Sequence, residues 1–341
     1  MEYRRLGHYN VKVSELAFGA YLNISNYGDE ENAKKLLHTA YDAGVNHFDN
    51  ADEYGGTHNS ELLMGRLIKD IKRTDLIITS KCFWDMGPGP NDRGLSRKHI
   101  FESVHTSLKN MQLDYIDIYY AHRYEAAVIG QTEPLLEEVV MAYDDLIRQG
   151  KITYWGTSCW TAAQLSRAYG FCERHGYHKP VVEQPEYSML KRYEVEADLR
   201  DNARRLGYGI ASWSPLSNGI LTGKYNDGIP EGTRLADPKV AWLGYDNALT
   251  EENIAKIRKL TEIASDLGGS MAQLAIAWLL RIPEMSSVIL GATKVHQIEE
   301  NLKCVELKPK LTPEVLAKID EILGNNPRPE IEEAEKPGYE F

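Results

Sequence analysis

Asp49, Tyr54, Lys81 and His122 carry the most suggestive chemistry in this chain. Asp49 ends the apolar-flanked run Val45 to Phe48, and Tyr54 follows in the polar turn of "HFDNADEY". Lys81 closes "DLIITSK" and His122 closes "DYIDIYYAH". A phenol, with a pKa of about 10, is a weak acid near neutral pH. A neighbouring ammonium favours the phenolate and lowers that pKa. A carboxylate beside the lysine keeps it charged and in place, and a histidine orients a carbonyl oxygen or shares the proton. Together they form a general acid, with Tyr54 as donor, for an oxygen that is becoming negative. Such an oxygen arises when hydride adds to a carbonyl. Taken singly each residue has a plainer reading: Asp49 as a turn cap, Lys81 as a solvated strand end, His122 as a structural histidine and Tyr54 as a packing residue. Their occurrence on three consecutive strand ends favours the joint reading, because adjacent strands lie about 4.8 Å apart.

The elements that must position them alternate regularly. Short apolar, β-branched runs occur at 15–19, 45–49, 76–81, 116–121, 152–157, 181–184, 209–213 and 287–290. Amphipathic helical patterns fill the gaps, for example 31–43, 96–111, 135–149 and 271–281. Ser96 stands at a helix start, and Gly44 and Gly150 stand where a C-terminal glycine is expected. Eight strand-helix units imply parallel pairing with right-handed crossovers. The expected fold is an α/β (β/α)8 TIM barrel, in which chemistry sits at the C-terminal ends of the strands. A doubly wound sheet, the competitor, calls for a G-x-G-x-x-G turn, which is absent from the sequence. Two runs around His8-Tyr9-Asn10 predict an N-terminal β-hairpin covering the barrel floor. The stretch 217–250, rich in Gly, Pro and Asp, reads as an extended functional loop. The chain is expected to be one domain over 1–341, with 325–341 an acidic surface tail.

Bulk properties exclude several classes. Net charge is −11, against a nucleic acid partner held through phosphates. No stretch approaches the roughly 20 apolar residues of a membrane span, and "MEYRRLG" lacks the apolar core of a signal peptide. Cys82, Cys159, Cys172 and Cys304 form no C-x-x-C pair, so an intracellular, cytoplasmic and reduced protein with structural cysteines is expected. Asn23-Ile24-Ser25 spells a glycosylation acceptor that is idle without secretion. No H-E-x-x-H motif or Cys/His cluster suggests a metal.

The tetrad and its flanking words, "FDNADEYG", "ITSK", "YWGTS", "EQPEYSML", "SWSPLSNGILTGKY" and "SVILGATKVHQIEEN", resemble the aldo-keto reductases over essentially the whole chain. The likeness is to the branch of voltage-gated potassium channel beta subunits, through "RGLSRKHI" and "QLAIAWLLR", and to bacterial glyceraldehyde-3-phosphate reductase-type relatives, through "DMGPGPN" and "AHR". In channel subunits the histidine position is typically asparagine; this chain keeps His122. The resemblance implies NADPH bound without a glycine-rich fingerprint. It implies that Ser158 and Gln184 hold the nicotinamide carboxamide, with Tyr187 near the ring. Trp213, Ser214, Pro215, Leu216, Ser217 and Lys224 would line the pyrophosphate, with Arg234 in the same loop. Gly291, Thr293, Lys294, Gln297, Glu300 and Asn301 would take the adenosine end, Lys294 and Gln297 reading the 2′-phosphate where many relatives carry an arginine at the latter position. Independently of the resemblance, the glycine at 291 and the following helix N-terminus suit an anion, and Ile298 and Leu302 should face the barrel wall.

Tyr21, Phe83, Trp84 and Trp160 follow strand ends or nearby loops and are candidate substrate walls or core aromatics. Arg123 faces either an anionic substrate group or an acidic neighbour. The leading expectation is an NADPH-dependent reductase of a small-molecule aldehyde or ketone, self-associating as a homo-oligomer as relatives do. The alternatives are a regulatory NADP(H)-binding subunit with slow turnover and a membrane partner, or a Schiff-base aldolase using Lys81.

Overall fold

The computed structural model describes residues 1–21, 29–124, 136–237 and 248–327. The glycosylation match at Asn23, the first residue of the 135–149 helical pattern, part of the 217–250 loop and most of the 325–341 tail lie outside the described residues. The chain divides into two compact units.

The first unit comprises 1–185, 202–213 and 283–302 and contains the barrel. Its eight parallel strands are β3 (Leu16–Gly19), β4 (His47–Asp49), β5 (Ile77–Cys82), β6 (Ile116–Ala121), β7 (Ile152–Thr157), β8 (Val182–Glu183), β9 (Gly209–Ser212) and β10 (Met285–Leu290). They close in sequence order, β10 pairing with both β9 and β3. All eight expected strands are therefore those of the barrel, with ends moved by one or two residues. Closure makes every strand central, which explains why β6 and β10 are buried along their whole length, and β5 nearly so, rather than alternating between buried and exposed.

The hairpin pairs β1 (Tyr3–Arg5) with β2 (Lys12–Ser14), antiparallel. It lies at the N-terminal ends of the strands. Arg4 donates to the Met285 carbonyl at 2.7 Å, and the Ser14 N–H donates to Asn46 Oδ1 at 2.7 Å. Leu6 and Val13 enter one apolar cluster with Ile118, Tyr120, Val181, Val182 and Ala211. Gly7 is required at its turn: φ is +57°, and a Cβ would come within 2.3 Å of the Gly207 carbonyl oxygen. The hairpin thus plugs the barrel end opposite the strand C-termini.

Helices α1 (Glu30–Asp42), α2 (Asn59–Leu67), α3 (Arg97–Met111), α4 (Leu136–Arg148), α5 (Ala162–His175) and α6 (Arg200–Leu206) come from the crossovers. Ser96 caps α3, its side chain accepting from the His99 N–H. The buried face of α3 carries Ile100, Val104, Leu108 and Met111 at helical spacing, but also Ser103 and Ser107. Those hydroxyls reach inward to Asp52 and Tyr119, so this interface has a polar seam. Tyr143 of α4 stacks on Trp155 of β7 at 4.8 Å. Such large buried rings contribute about 1.5–3 kcal/mol each through burial alone.

The second unit comprises 186–201, 214–282 and 303–341. Beyond the 217–222 turn, the expected loop ends at Thr250, which caps α7 (Glu251–Asp266). A Ser270/Gln273 capping box opens α8 (Met271–Leu279), which packs on both α7 and the 217–222 turn. Within this unit Arg192 and Arg281 both donate to the buried Glu196 carboxylate. Asn325, the first residue of the expected tail, donates to the Met189 carbonyl at 2.9 Å.

Candidate active site

The C-terminal end of the barrel brings Asp49, Tyr54, Lys81 and His122 together. Register explains how. Asp49 of β4 lies beside Thr79 of β5, and Lys81, two residues farther along, points to the same inner face one layer higher. Lys81 is fully buried, and its ammonium donates to Asp49 Oδ2 at 2.7 Å, the Asn50 carbonyl at 2.7 Å and the Tyr54 hydroxyl at 3.0 Å. Three N–H groups meet three acceptors. The phenol oxygen therefore accepts from the lysine, which leaves its own proton free to point elsewhere. Asp49 is saturated from the other side, accepting at Oδ1 from Thr79 at 2.9 Å and from the Gln184 carboxamide at 2.8 Å. Tyr54 is delivered by the turn after β4, which is tied to β5 where the Asp52 N–H donates to the Lys81 carbonyl at 3.2 Å.

The electrostatics depart from the expected lowering of the phenol pKa. Burial pushes the Tyr54 phenol well above its ordinary value, and the Asp49 and Glu53 carboxylates push it the same way. Desolvation outweighs the opposing pull of the Arg123 cation. Burial also lowers Lys81, against the opposing pull of Asp49. His122 is held well below the usual imidazole range, by burial first and then by Arg123 and Lys81. The resting site thus carries a protonated phenol, a neutral imidazole and a lysine-aspartate pair. A protonated phenol is what donation to an alkoxide requires, since the alkoxide is by far the stronger base.

Around Tyr54 lie the Tyr21 ring at 4.9 Å and the His122 ring at 6.1 Å, with Trp84 at 6.3 Å from His122. Phe83 and Trp160 are buried: Phe83 meets Trp84 edge-on at 5.2 Å, and Trp160 meets Tyr124 edge-on at 4.8 Å. Arg123 makes hydrogen bonds to neutral oxygens, the His122 carbonyl at 2.6 Å and Ser158 Oγ at 3.3 Å, and lies 5.6 Å from the Trp84 ring. Ser158 in turn donates to the Gln184 carbonyl at 2.8 Å, so Ser158 and Gln184 are neighbours. Glu183 anchors the loop beneath them, accepting from Thr157 and from the Trp160 N–H.

In the second unit the 214–219 turn is strained. Ser214, Ser217 and Asn218 all have positive φ, at 55°, 45° and 57°. Such outliers persist only where the surroundings over-determine them, and they cluster at ligand sites. In this turn Leu216, with φ −100° and ψ 13°, precedes left-handed Ser217. Two cations converge on it: Arg234 donates to Asn218 Oδ1 at 3.0 Å, and the Lys224 ammonium lies against Gly219. Tyr187 is fully buried, its hydroxyl donating to Glu196 at 2.5 Å and accepting from Arg281 at 2.8 Å.

At the end of β10 the arrangement differs from the open helix N-terminus expected. Gln297 Oε1 accepts from the Thr293 N–H at 2.9 Å, the Thr293 hydroxyl at 3.2 Å and the Lys294 N–H at 3.1 Å. Gln297 thus caps its own helix, α9 (Val295–Leu302), with its side-chain carbonyl oxygen. Lys294 and Glu300 are exposed and Asn301 is buried. Ile298 and Leu302 are buried as their spacing requires. Sequence reasoning passed over Asn50, whose contribution is its backbone carbonyl, and Thr79 and Glu53. The last two were visible only as ordinary letters within "IITSK" and "FDNADEYG".

The comparisons with known proteins agree with this geometry. The model described as "Aldo/keto reductase family" matches residues 15–324. A probable voltage-gated potassium channel subunit beta of Arabidopsis thaliana is 44% identical over 334 residues, covering 97% of this chain and 99% of that protein. A protein of the same description from Oryza sativa subsp. japonica is 43% identical over 335 residues, covering 96% and 98%. A putative one from Schizosaccharomyces pombe is 43% identical over 330 residues, covering 95% and 94%. No helix among the described residues is long and apolar enough to cross a membrane. An eight-stranded barrel with these residues at its C-terminal end, matched over nearly its whole length, belongs to the aldo/keto reductase family, whose general activity is nicotinamide-dependent oxidoreduction.

Proposed function

We propose that the protein reduces aldehydes or ketones to alcohols with NADPH, Tyr54 donating the proton. The observation that carries this reading is the Lys81 ammonium, buried and shared among Asp49, Asn50 and Tyr54. Bound NADPH supplies the hydride that adds to the carbonyl carbon. As that carbon is attacked, Tyr54 gives its proton to the oxygen, and the N–H of Lys81 stabilises the phenolate left behind. The pair of Asp49 and Lys81 needs no reorganisation at that moment, since every donor is already placed. His122 orients the carbonyl oxygen. Tyr21, Trp84 and Arg123 border the approach to it, Arg123 suiting an anionic substituent.

Each unit, taken by itself, offers groups of the kind a dinucleotide needs. The strained turn at 214–219, with Lys224 and Arg234 upon it, suits a pyrophosphate. Ser158 and Gln184 would hold the nicotinamide carboxamide. Lys294 supports NADPH over NADH, whereas Gln297 contributes to the 2′-phosphate only by giving up its cap. Tyr54→Phe tests the reading: turnover of a reactive aldehyde such as 4-nitrobenzaldehyde should fall about 10²–10⁴-fold, with NADPH binding by fluorescence unchanged. Near-normal turnover in that variant overturns it.

A second reading draws on the names of the relatives, which describe channel subunits. In it the protein holds NADP(H) tightly, turns over slowly and couples redox state to a membrane partner. Copurification with a membrane protein together with negligible steady-state reduction would favour it.

A further inference from the structure

We propose that Glu53 is a positioning residue of this site, sharing one proton with His122 and thereby deciding whether His122 turns an N–H or a lone pair toward the carbonyl oxygen. The inference rests on the reductase reading above. Its starting point is an orphan: His122 Nδ1 is buried without a hydrogen-bond partner and lies 3.7 Å from Glu53 Oε1. A buried nitrogen left without a partner is destabilising. A shift of about 0.7 Å would bring the two groups to an ordinary hydrogen bond, and site hydrogen bonds are often long before ligand binds. Glu53 is well held for this. It sits in the turn that the Asp52 N–H fastens to the Lys81 carbonyl, and its own carbonyl accepts from the Gly56 N–H at 3.1 Å. Its side chain keeps 27% exposure against 6% for His122, so of the two groups the carboxyl is the better placed to exchange protons with solvent.

The proton count decides what His122 presents. A neutral imidazole carries one N–H. If the pair holds one further proton, the Glu53 carboxylic acid donates to Nδ1 and the imidazole keeps its own proton on Nε2, a donor for an oxygen gaining charge. If that proton leaves, the carboxylate draws the remaining N–H to Nδ1, and Nε2 offers a lone pair instead, which suits an alcohol being oxidised. Burial raises the Glu53 carboxyl, against Lys81 from β5 and Arg123 after β6, and the same two cations help burial keep His122 neutral. Asp52 and Tyr54 flank Glu53 in the chain and feel its charge, each pushed upward by it. Glu53 transfers nothing to substrate; the proton that reaches the product is that of Tyr54.

Two measurements test this. In ligand-free protein, 15N-labelled histidine should show His122 as the Nε2–H form at lower pH and the Nδ1–H form at higher pH. In Glu53→Gln the carboxamide N–H donates to Nδ1 without titrating, so the Nε2–H form should persist throughout. The kcat/KM for 4-nitrobenzaldehyde with NADPH should fall about tenfold per pH unit above the pair's apparent pKa in the wild type. That alkaline fall should vanish in Glu53→Gln, while Glu53→Leu should lose reduction at every pH. A His122 tautomer that ignores pH in the wild type, or identical pH profiles for wild type and Glu53→Gln, would overturn the proposal. The wild-type NMR titration needs no variant to fold. If Tyr54→Phe stays active the reductase reading itself fails; if Tyr54→Phe is inactive while Glu53→Gln behaves as wild type, only the role of Glu53 fails.

Discussion

Replacing Lys81 by methionine isolates the interaction on which the site depends. Methionine is unbranched and adaptable, so it fills the space without the ammonium. Three hydrogen bonds are lost, and the Asp49 carboxylate, 3% exposed, keeps only Thr79 and Gln184 as donors. Removing one partner of a buried pair leaves an uncompensated charge and costs about 3–5 kcal/mol. Adding Asp49→Asn to Lys81→Met removes that charge, so the double variant should be more stable than Lys81→Met alone. Residues in direct contact show coupling energies of about 0.5–3 kcal/mol, and this pair belongs at the upper end because neither partner reaches water. Urea unfolding of the four proteins gives the cycle, and turnover should be lost in both variants that lack the lysine. A cost for Lys81→Met below about 1 kcal/mol, with an additive double variant, would mean the ammonium is not truly desolvated. Such an ammonium could not steady a buried phenolate.

Lys294→Ala should weaken NADPH binding about tenfold, roughly 1.4 kcal/mol, and leave NADH binding unchanged; titration of both nucleotides checks this, and equal losses would remove Lys294 as reader of the 2′-phosphate. Acid should destabilise the barrel through His47, which burial holds down at about 4. Its Nε2 is buried without a partner, and Nδ1 faces Ser287 Oγ at 3.2 Å. A depressed histidine means that the unfolded chain binds the proton first. Stability is therefore lost as pH falls from the unfolded value near 6.5 to about 4, by about 3 kcal/mol in all. Denaturant midpoints for His47→Asn should be flatter across that window, and an unchanged slope would contradict the assignment.

Much of the site was legible in the chain because strand ends are local features. A run such as "IITSK" declares both a buried strand and the polar residue that closes it, and eight such runs with helical patterns between them admit few closures. The side-chain types at 49, 54, 81 and 122 then suggest proton chemistry before any contact is known. What the tertiary structure alone decided is where each hydrogen bond goes. Gln184 reaches Asp49 across the barrel, 135 residues away in the chain, because closure brings the inner faces of β4 and β8 together. Gln297 satisfies its own helix start rather than waiting for a phosphate. Burial, which no single residue announces, reversed the expected direction for the Tyr54 phenol and left His122 Nδ1 facing Glu53. Residue type and period are written along the chain, but desolvation and hydrogen-bond partnership are properties of the space between strands, and that space exists only after the barrel has closed.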